Sequence, residues 1–258
     1  MSTERIVTER WELAASEARE ALHNQLVVAF LGSASSGKDA AIKALFGIDF
    51  GEIDPIPGST DRLRVAPIDS LGQVLVVNAP GFGDLRDEVD AEAQRALGSL
   101  DLAVYLLNAD GGATIDEKRD LDRIRALGRP VLVCINKIDL LRPAQRDEFV
   151  HATLAQLEVD PNDAVLTAFD PLPALSPEPI GVDETIAWIS RTLREQGKDL
   201  LFAKNLRNKA RACEPLIAAA AKKAAVAGAI PVPGADATAV TVVQIRLIAD
   251  IAAVFGRE

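Results

Sequence analysis

Six short apolar runs punctuate the chain, and the stretches between them carry apolar residues at helical spacing. The runs are QLVVAFLG from Gln25, RLRVAPI from Arg62, QVLVVNA from Gln73, LAVYLLNA from Leu102, PVLVCIN from Pro130 and AVLTAF from Ala164. Strand candidates that alternate with helix-period segments predict a mostly parallel sheet flanked by helices. Only DSLG separates the second run from the third, too short for a crossover helix, so these two are expected to pair as an antiparallel hairpin. The expected fold class is α/β, a three-layer α/β/α arrangement with a mostly parallel sheet and one antiparallel edge strand.

Cap signals bound the helices. One helix begins near Lys38 and stops at Gly47. Thr114 and Glu117 form a Thr-x-x-Glu capping box ahead of Leu121, Ile124 and Leu127, with Gly128 as the stop and Pro130 opening the next strand. Asp183 is expected to cap ETIAWISRTLREQ, which buries Ile186, Ile189 and Leu193 and ends at Gly197. At the start of the sequence Val7, Trp11, Ala14, Ala15, Ala18 and Leu22 recur at helical spacing, which predicts an amphipathic helix lying on the main domain. Trp11 and Trp188 are both assigned to the core. Past Gly197 the sequence turns alanine-rich and nearly free of aromatic residues, with PVPGAD at 231–236 as a turn, and predicts a C-terminal helical hairpin. Three segments result: residues 1–24, 25–197 and 198–258.

Composition narrows the function. At 258 residues and 48% hydrophobic, the chain can bury a full-sized core. A net charge of -10 argues against wholesale binding of nucleic acid, which requires a surplus of Lys and Arg. From Lys198 onward nine basic residues face five acidic ones, a surplus of four that leaves the first 197 residues at -14. An anionic partner is therefore expected at the C-terminal part. The placement of Cys134 and Cys213 suggests neither a zinc site nor a disulfide framework, and both read as reduced thiols. The charged start lacks the apolar core of a signal peptide, so a cytoplasmic location is expected. His23 and His151 stand alone in polar helical contexts and assemble neither a metal site nor a catalytic triad.

Two loops carry chemistry. GSASSGKD, Gly32 to Asp39, follows a strand and opens a helix, the context of a phosphate-binding loop. Glycines at both ends let backbone N–H groups converge on phosphate, the helix N-terminus adds its dipole, and Lys38 supplies a point charge to the β and γ phosphates. The candidate phosphate-binding residues are Gly32, Ser33, Ala34, Ser35, Ser36, Gly37, Lys38, Asp39 and Ala40. About 100 residues later NKID, at 136–139, closes the fifth strand at the edge where open parallel sheets bind ligands. Asp139 can accept from both the N1–H and the exocyclic amine of guanine. Asn136 can hold the loop and the purine edge, and the stem of Lys137 can lie over the base.

With both loops in place, residues 25–196 resemble the Era and TrmE-like branch of the small P-loop GTP-binding proteins. The resemblance implies a GTP/GDP site and Mg2+, with further signatures in order along the chain. DPIPGSTDRLRV resembles the first switch, with Thr60 as the γ-phosphate and magnesium threonine and Ser59 beside it. NAPGFGD resembles the second switch, with Gly81 donating to the γ phosphate. LTAF resembles the loop that contacts the guanine carbonyl, through Thr167 and Ala168. Lys38, Thr60 and Gly81 take the catalytic roles in this reading, and Asp39, Thr60 and Asn78 form the metal set.

Three departures surround the γ phosphate. Asp39 replaces the hydroxyl residue that binds magnesium, Asn78 replaces the aspartate that orients its waters, and Phe82 occupies the water-positioning place after Gly81. Asp39 and Asn78 exchange an acid for a neutral group, so the carboxylate count is unchanged. Two outcomes stand for Asp39: a carboxylate ligand to magnesium, or repulsion of the phosphates. Some relatives hold a potassium ion through an asparagine at the fourth loop position, where this chain has Ser35. Asp84 reads as a solvated switch residue. The functional expectation is a guanine-nucleotide switch with slow or partner-dependent hydrolysis and an unknown protein effector. The alternative is a pseudo-GTPase serving as an interaction module.

The C-terminal segment resembles part of an uncharacterised alanine-rich helical domain with a Pro-Val-Pro-Gly-Ala-Asp turn. Its apolar face suits pairing with another molecule, a homo-oligomer included. Lys204, Arg207, Lys209 and Arg211 offer a basic run that could meet a membrane surface peripherally, or simply solvent. Arg246 and Asp250 are spaced to pair along one helix. A nucleic-acid-associated assembly factor ranks third.

Overall fold

The computed structural model describes residues 3–49, 64–70, 72–78, 98–228 and 235–257. These fall into two compact units, residues 25–189 and residues 1–24 together with 190–258.

The first unit is built on a six-stranded sheet in the order β2-β3-β1-β4-β5-β6, comprising β1 (Leu26–Leu31), β2 (Arg64–Pro67), β3 (Val74–Asn78), β4 (Leu102–Asn108), β5 (Val131–Asn136) and β6 (Ala164–Leu166). Every neighbouring pair is parallel except β2 with β3, the hairpin expected from the short DSLG link. All six residues of β1 are buried. That explains the unbroken apolar run, because a strand covered on both faces has no solvent side for polar residues. Tyr105, Leu107, Val133 and Ile135 from β4 and β5 pack with Leu121 and Ile124 in one core cluster. Asp101 ties the sheet ahead of β4, its carboxylate accepting the buried Val27 N–H at 2.9 Å.

Around the sheet lie α2 (Lys38–Phe46), α3 (Ile115–Arg125), α4 (Pro143–Leu157) and α5 (Val182–Glu195). Gly47 ends α2 in the left-handed region, and Thr114 with Glu117 forms the reciprocal capping box of α3. Helix α5 starts at Val182, so Asp183 lies in its first turn rather than at its cap. The Gly181 carbonyl accepts both the Thr185 N–H and the Thr185 hydroxyl, which winds the helix from one residue earlier.

The second unit contains α1 (Thr3–Ala21), α6 (Asp199–Asn205), α7 (Lys209–Gly228) and α8 (Ala235–Val254). Helices α7 and α8 pack together as the expected hairpin, and α1 packs with α6 and α8. Helix α1 is grouped with residues 190–258 in this helical unit. Its covered face is shorter than its periodicity: Ala14, Ala18 and Leu22 are buried, while Val7 and Trp11 are about 40% exposed. Trp11 is thus a surface residue, unlike Trp188, which is buried and donates its indole N–H to Asp163. Arg246 bonds Asp250 at 2.9 Å along α8, as its spacing predicted, and also reaches Glu17 of α1. Residues 229–234, which hold most of the PVPGAD turn, lie outside the described residues.

Both cysteines are free and buried. Burial pushes the Cys134 thiol up to about 12, far from the thiolate range that reactive cysteines need. His23 and His151 are exposed. Among the described residues no helix is long and apolar enough to cross a membrane.

Candidate functional site

The glycine loop leaves the end of β1 and enters α2 through two positions that no other residue fits. Gly32 takes φ +142° and Gly37 takes φ +97°. A Cβ on Gly32 would lie 2.3 Å from the Leu106 carbonyl oxygen, and one on Gly37 would lie 2.1 Å from Asn136 Nδ2. The loop is therefore pressed against β4 on one side and against the end of β5 on the other. Ser33 extends the attachment, its hydroxyl donating to Glu117 at 3.3 Å while the other Glu117 oxygen caps α3. Ala34 and Ser35 are exposed at the tip, and Ser35 takes a left-handed φ of 59°.

Lys38 is buried, and its ammonium donates to the Gly32 and Ser33 carbonyls, each at 2.9 Å. Burial pushes its pKa below the usual lysine value, and the neighbouring Asp39 carboxylate partly opposes that shift. Removing Asp39 would therefore leave Lys38 less firmly protonated. Ser36 Oγ, fully buried beside Gly32, is the one buried side-chain polar atom without a partner among the described residues. An unsatisfied buried hydroxyl costs about 1–3 kcal/mol. Ser36→Ala is accordingly expected to leave stability unchanged or raise it by about 1 kcal/mol in chemical denaturation, and a loss would show that the hydroxyl has a role in the folded loop.

Asn136 joins the two sequence motifs. Its Nδ2 donates to the Ser36 carbonyl at 2.8 Å, and its Oδ1 accepts from Thr167 Oγ1 at 3.2 Å and from the Phe169 N–H at 3.3 Å. Lys137 turns the chain with φ 63° into the short 3-10 segment Ile138–Leu140, which carries Asp139. Asp139 is nearly buried and accepts the Leu172 N–H at 3.2 Å. The Ala168 N–H, expected at the base, is donated to the Ile180 carbonyl at 3.1 Å.

Asp39 and Asn78 meet. The Asn78 amide donates to the Asp39 carboxylate at 2.5 Å, across 39 residues of sequence. Asn78 is buried at the end of β3 and Asp39 is exposed in the first turn of α2. Thr60, Gly81, Ser59, Phe82 and Asp84 lie outside the described residues.

Residues 27–137, from β1 to the start of NKID, match the family model described as 50S ribosome-binding GTPase. This stretch is homologous to the GTPase domains of MnmE and Era. The tRNA modification GTPase MnmE of Paraburkholderia xenovorans is 32% identical over 149 residues, covering 54% of this chain and 32% of that protein. GTPase Era of Aquifex aeolicus is 29% identical over 128 residues, covering 46% of this chain and 42% of that protein. The chain thus spans well under half the length of either relative. A solved probable GTP-binding protein engB aligns with a TM-score of 0.47 at 19% identity, over 65% of this chain and 98% of that one.

The two glycines let the loop backbone lie against β4 and the end of β5 where a Cβ would collide, and the loop leads into the N-terminus of α2, a place that favours an anion such as a phosphate. Among the described residues no group of three or more His, Cys, Asp or Glu side chains could hold a metal ion alone. One carboxylate and one carboxamide are instead hard oxygen donors of the kind that suit Mg2+ when water and phosphate oxygens complete its shell.

The contacts of Glu117, Phe169 and Leu172 within this site were not singled out from sequence. Glu117 was named only as a helix cap, and the other two act through backbone N–H groups that leave no side-chain signature.

Proposed function

We propose that the chain is a guanine-nucleotide-binding switch with slow or partner-dependent GTP hydrolysis, in which Asp39 and Asn78 form an exchanged magnesium-binding pair. The observation that carries this reading is the 2.5 Å contact between them beside the phosphate loop. Lys38 and the loop N–H groups hold the phosphates, Thr167 and Asn136 fix the base loop, and Asp139 reads the purine. Asp39 and Asn78, with Thr60 of the first-switch motif, would hold magnesium, which would supply charge neutralisation beside the phosphates. With the cation bound, the Asp39 carboxylate would face it rather than bare phosphate, which would remove the repulsion that Asp39 otherwise creates.

Titration of GTP and GDP with and without magnesium, followed by hours of phosphate release, tests the assignment. Magnesium is expected to tighten GTP binding at least tenfold in the wild type, with little effect in Asp39→Ala. The double variant Asp39→Ser with Asn78→Asp keeps the carboxylate count and should remain magnesium-dependent. Metal-independent binding without phosphate release would instead identify a non-enzymatic interaction module.

A further inference from the structure

The loop between β6 and α5 grips the NKID motif with its backbone. At its base, the Ala168 and Ile180 N–H groups each donate to the other residue's carbonyl, at 3.1 and 2.9 Å. Within the loop, two N–H groups three residues apart reach the two ends of the motif: Phe169 donates to Asn136 Oδ1 at 3.3 Å and Leu172 donates to Asp139 Oδ2 at 3.2 Å.

Leu172 lies between Pro171 and Pro173, so it supplies the single backbone N–H of that tripeptide. Each proline fixes its own φ and keeps the preceding residue extended, which limits how far the Leu172 peptide can turn. The Leu172 carbonyl is held as well, accepting from Leu175 at 2.8 Å and Ser176 at 3.0 Å. The leucine side chain is 55% exposed, so packing does not account for the position of this residue. Among the described residues, Leu172 is the sole hydrogen-bond partner of the Asp139 carboxylate. A carboxylate offers about four acceptor sites, so one N–H orients the group and leaves both oxygens able to accept.

We infer that Leu172 is a positioning residue for base selectivity: its N–H holds the Asp139 carboxylate so that both oxygens face the N1–H and the 2-amino group of guanine together. The inference rests on the reading of NKID as the base site. A freely rotating carboxylate would still accept from N1–H but would lose the paired geometry, so discrimination against a purine lacking the 2-amino group would fall. Leu172 itself touches no nucleotide.

Equilibrium titration of the full chain with GDP and with inosine diphosphate decides the matter. The wild type is expected to favour GDP. Leu172→Ala keeps the N–H and should keep the ratio of the two affinities. Leu172→Pro removes the N–H and should lower that ratio roughly tenfold, chiefly by weakening GDP, as loss of one hydrogen bond to a charged group implies. Pro171→Gly with Pro173→Gly retains the N–H but frees the peptide, and should lower the ratio a few-fold. An unchanged ratio in Leu172→Pro with its melting temperature preserved would overturn the inference. Tighter GDP binding by that variant would also overturn it, showing the N–H to be a competitor of the base. If Leu172→Pro does not fold, the double glycine variant decides by the same ratio. Absence of GDP binding by the wild type would remove the base-site reading itself, whereas GDP binding with unaltered ratios would remove this inference alone.

Discussion

Gly37→Ala is expected to destabilise residues 25–189 by about 2–4 kcal/mol and to abolish measurable nucleotide binding. The added Cβ would sit 2.1 Å from Asn136 Nδ2, and φ +97° is a conformation that an alanine adopts only with strain. Relief requires moving either the loop or Asn136, and each movement breaks the 2.8 Å bond from Asn136 to the Ser36 carbonyl. Denaturant unfolding monitored through Trp188, buried within this unit, measures the loss. Retention of wild-type stability and affinity would mean that the loop can yield without cost.

Asn136→Ala should be at least as severe. The side chain serves three partners from a site only 2% exposed, so its removal leaves the Ser36 carbonyl, the Thr167 hydroxyl and the Phe169 N–H without their shared partner. Unsatisfied buried groups cost about 1–3 kcal/mol each, and partial relaxation brings the expected total to about 3–4 kcal/mol. Because both substitutions attack the same contact, their effects should not add. A double-mutant cycle should return a coupling of at least about 1 kcal/mol, and strict additivity would place the two residues in independent roles.

Much of the α/β unit was legible because buried strands must be apolar and their ends must turn. QLVVAFLG, LAVYLLNA and PVLVCIN each became strands within a residue or two of the expected bounds, and DSLG could only be a hairpin link. The Thr114–Glu117 box was readable because capping chemistry is local. Partnership was less readable. The periodicity of α1 shows that one face is covered but not by what, so Ala14 and Ala18 could not announce the helices of residues 190–258. Asp39 and Asn78 could be paired from the family resemblance as an exchange of acid and neutral group, but their direct 2.5 Å contact depends on β1 and β3 lying side by side. The grip of Phe169 and Leu172 on NKID passes through peptide groups, and only the prolines around Leu172 left a trace of it.

The sheet order also sets a timetable for synthesis. Strand β1 pairs with β3 and β4, so Val28 must wait for Val76 and then Leu102 before it has neighbours. The Asn136–Ser36 bond joins residues 100 apart, which means that the phosphate loop cannot take its final form until the fifth strand has left the ribosome. Chains dominated by such distant pairings fold slowly, since loop closure must precede the contacts that reward it. Helix α1 waits longer still, for residues beyond 190. A nascent chain halted near residue 120 should therefore expose Leu26–Leu31 and the glycine loop together, and offer them to a chaperone before it can offer a site to a nucleotide.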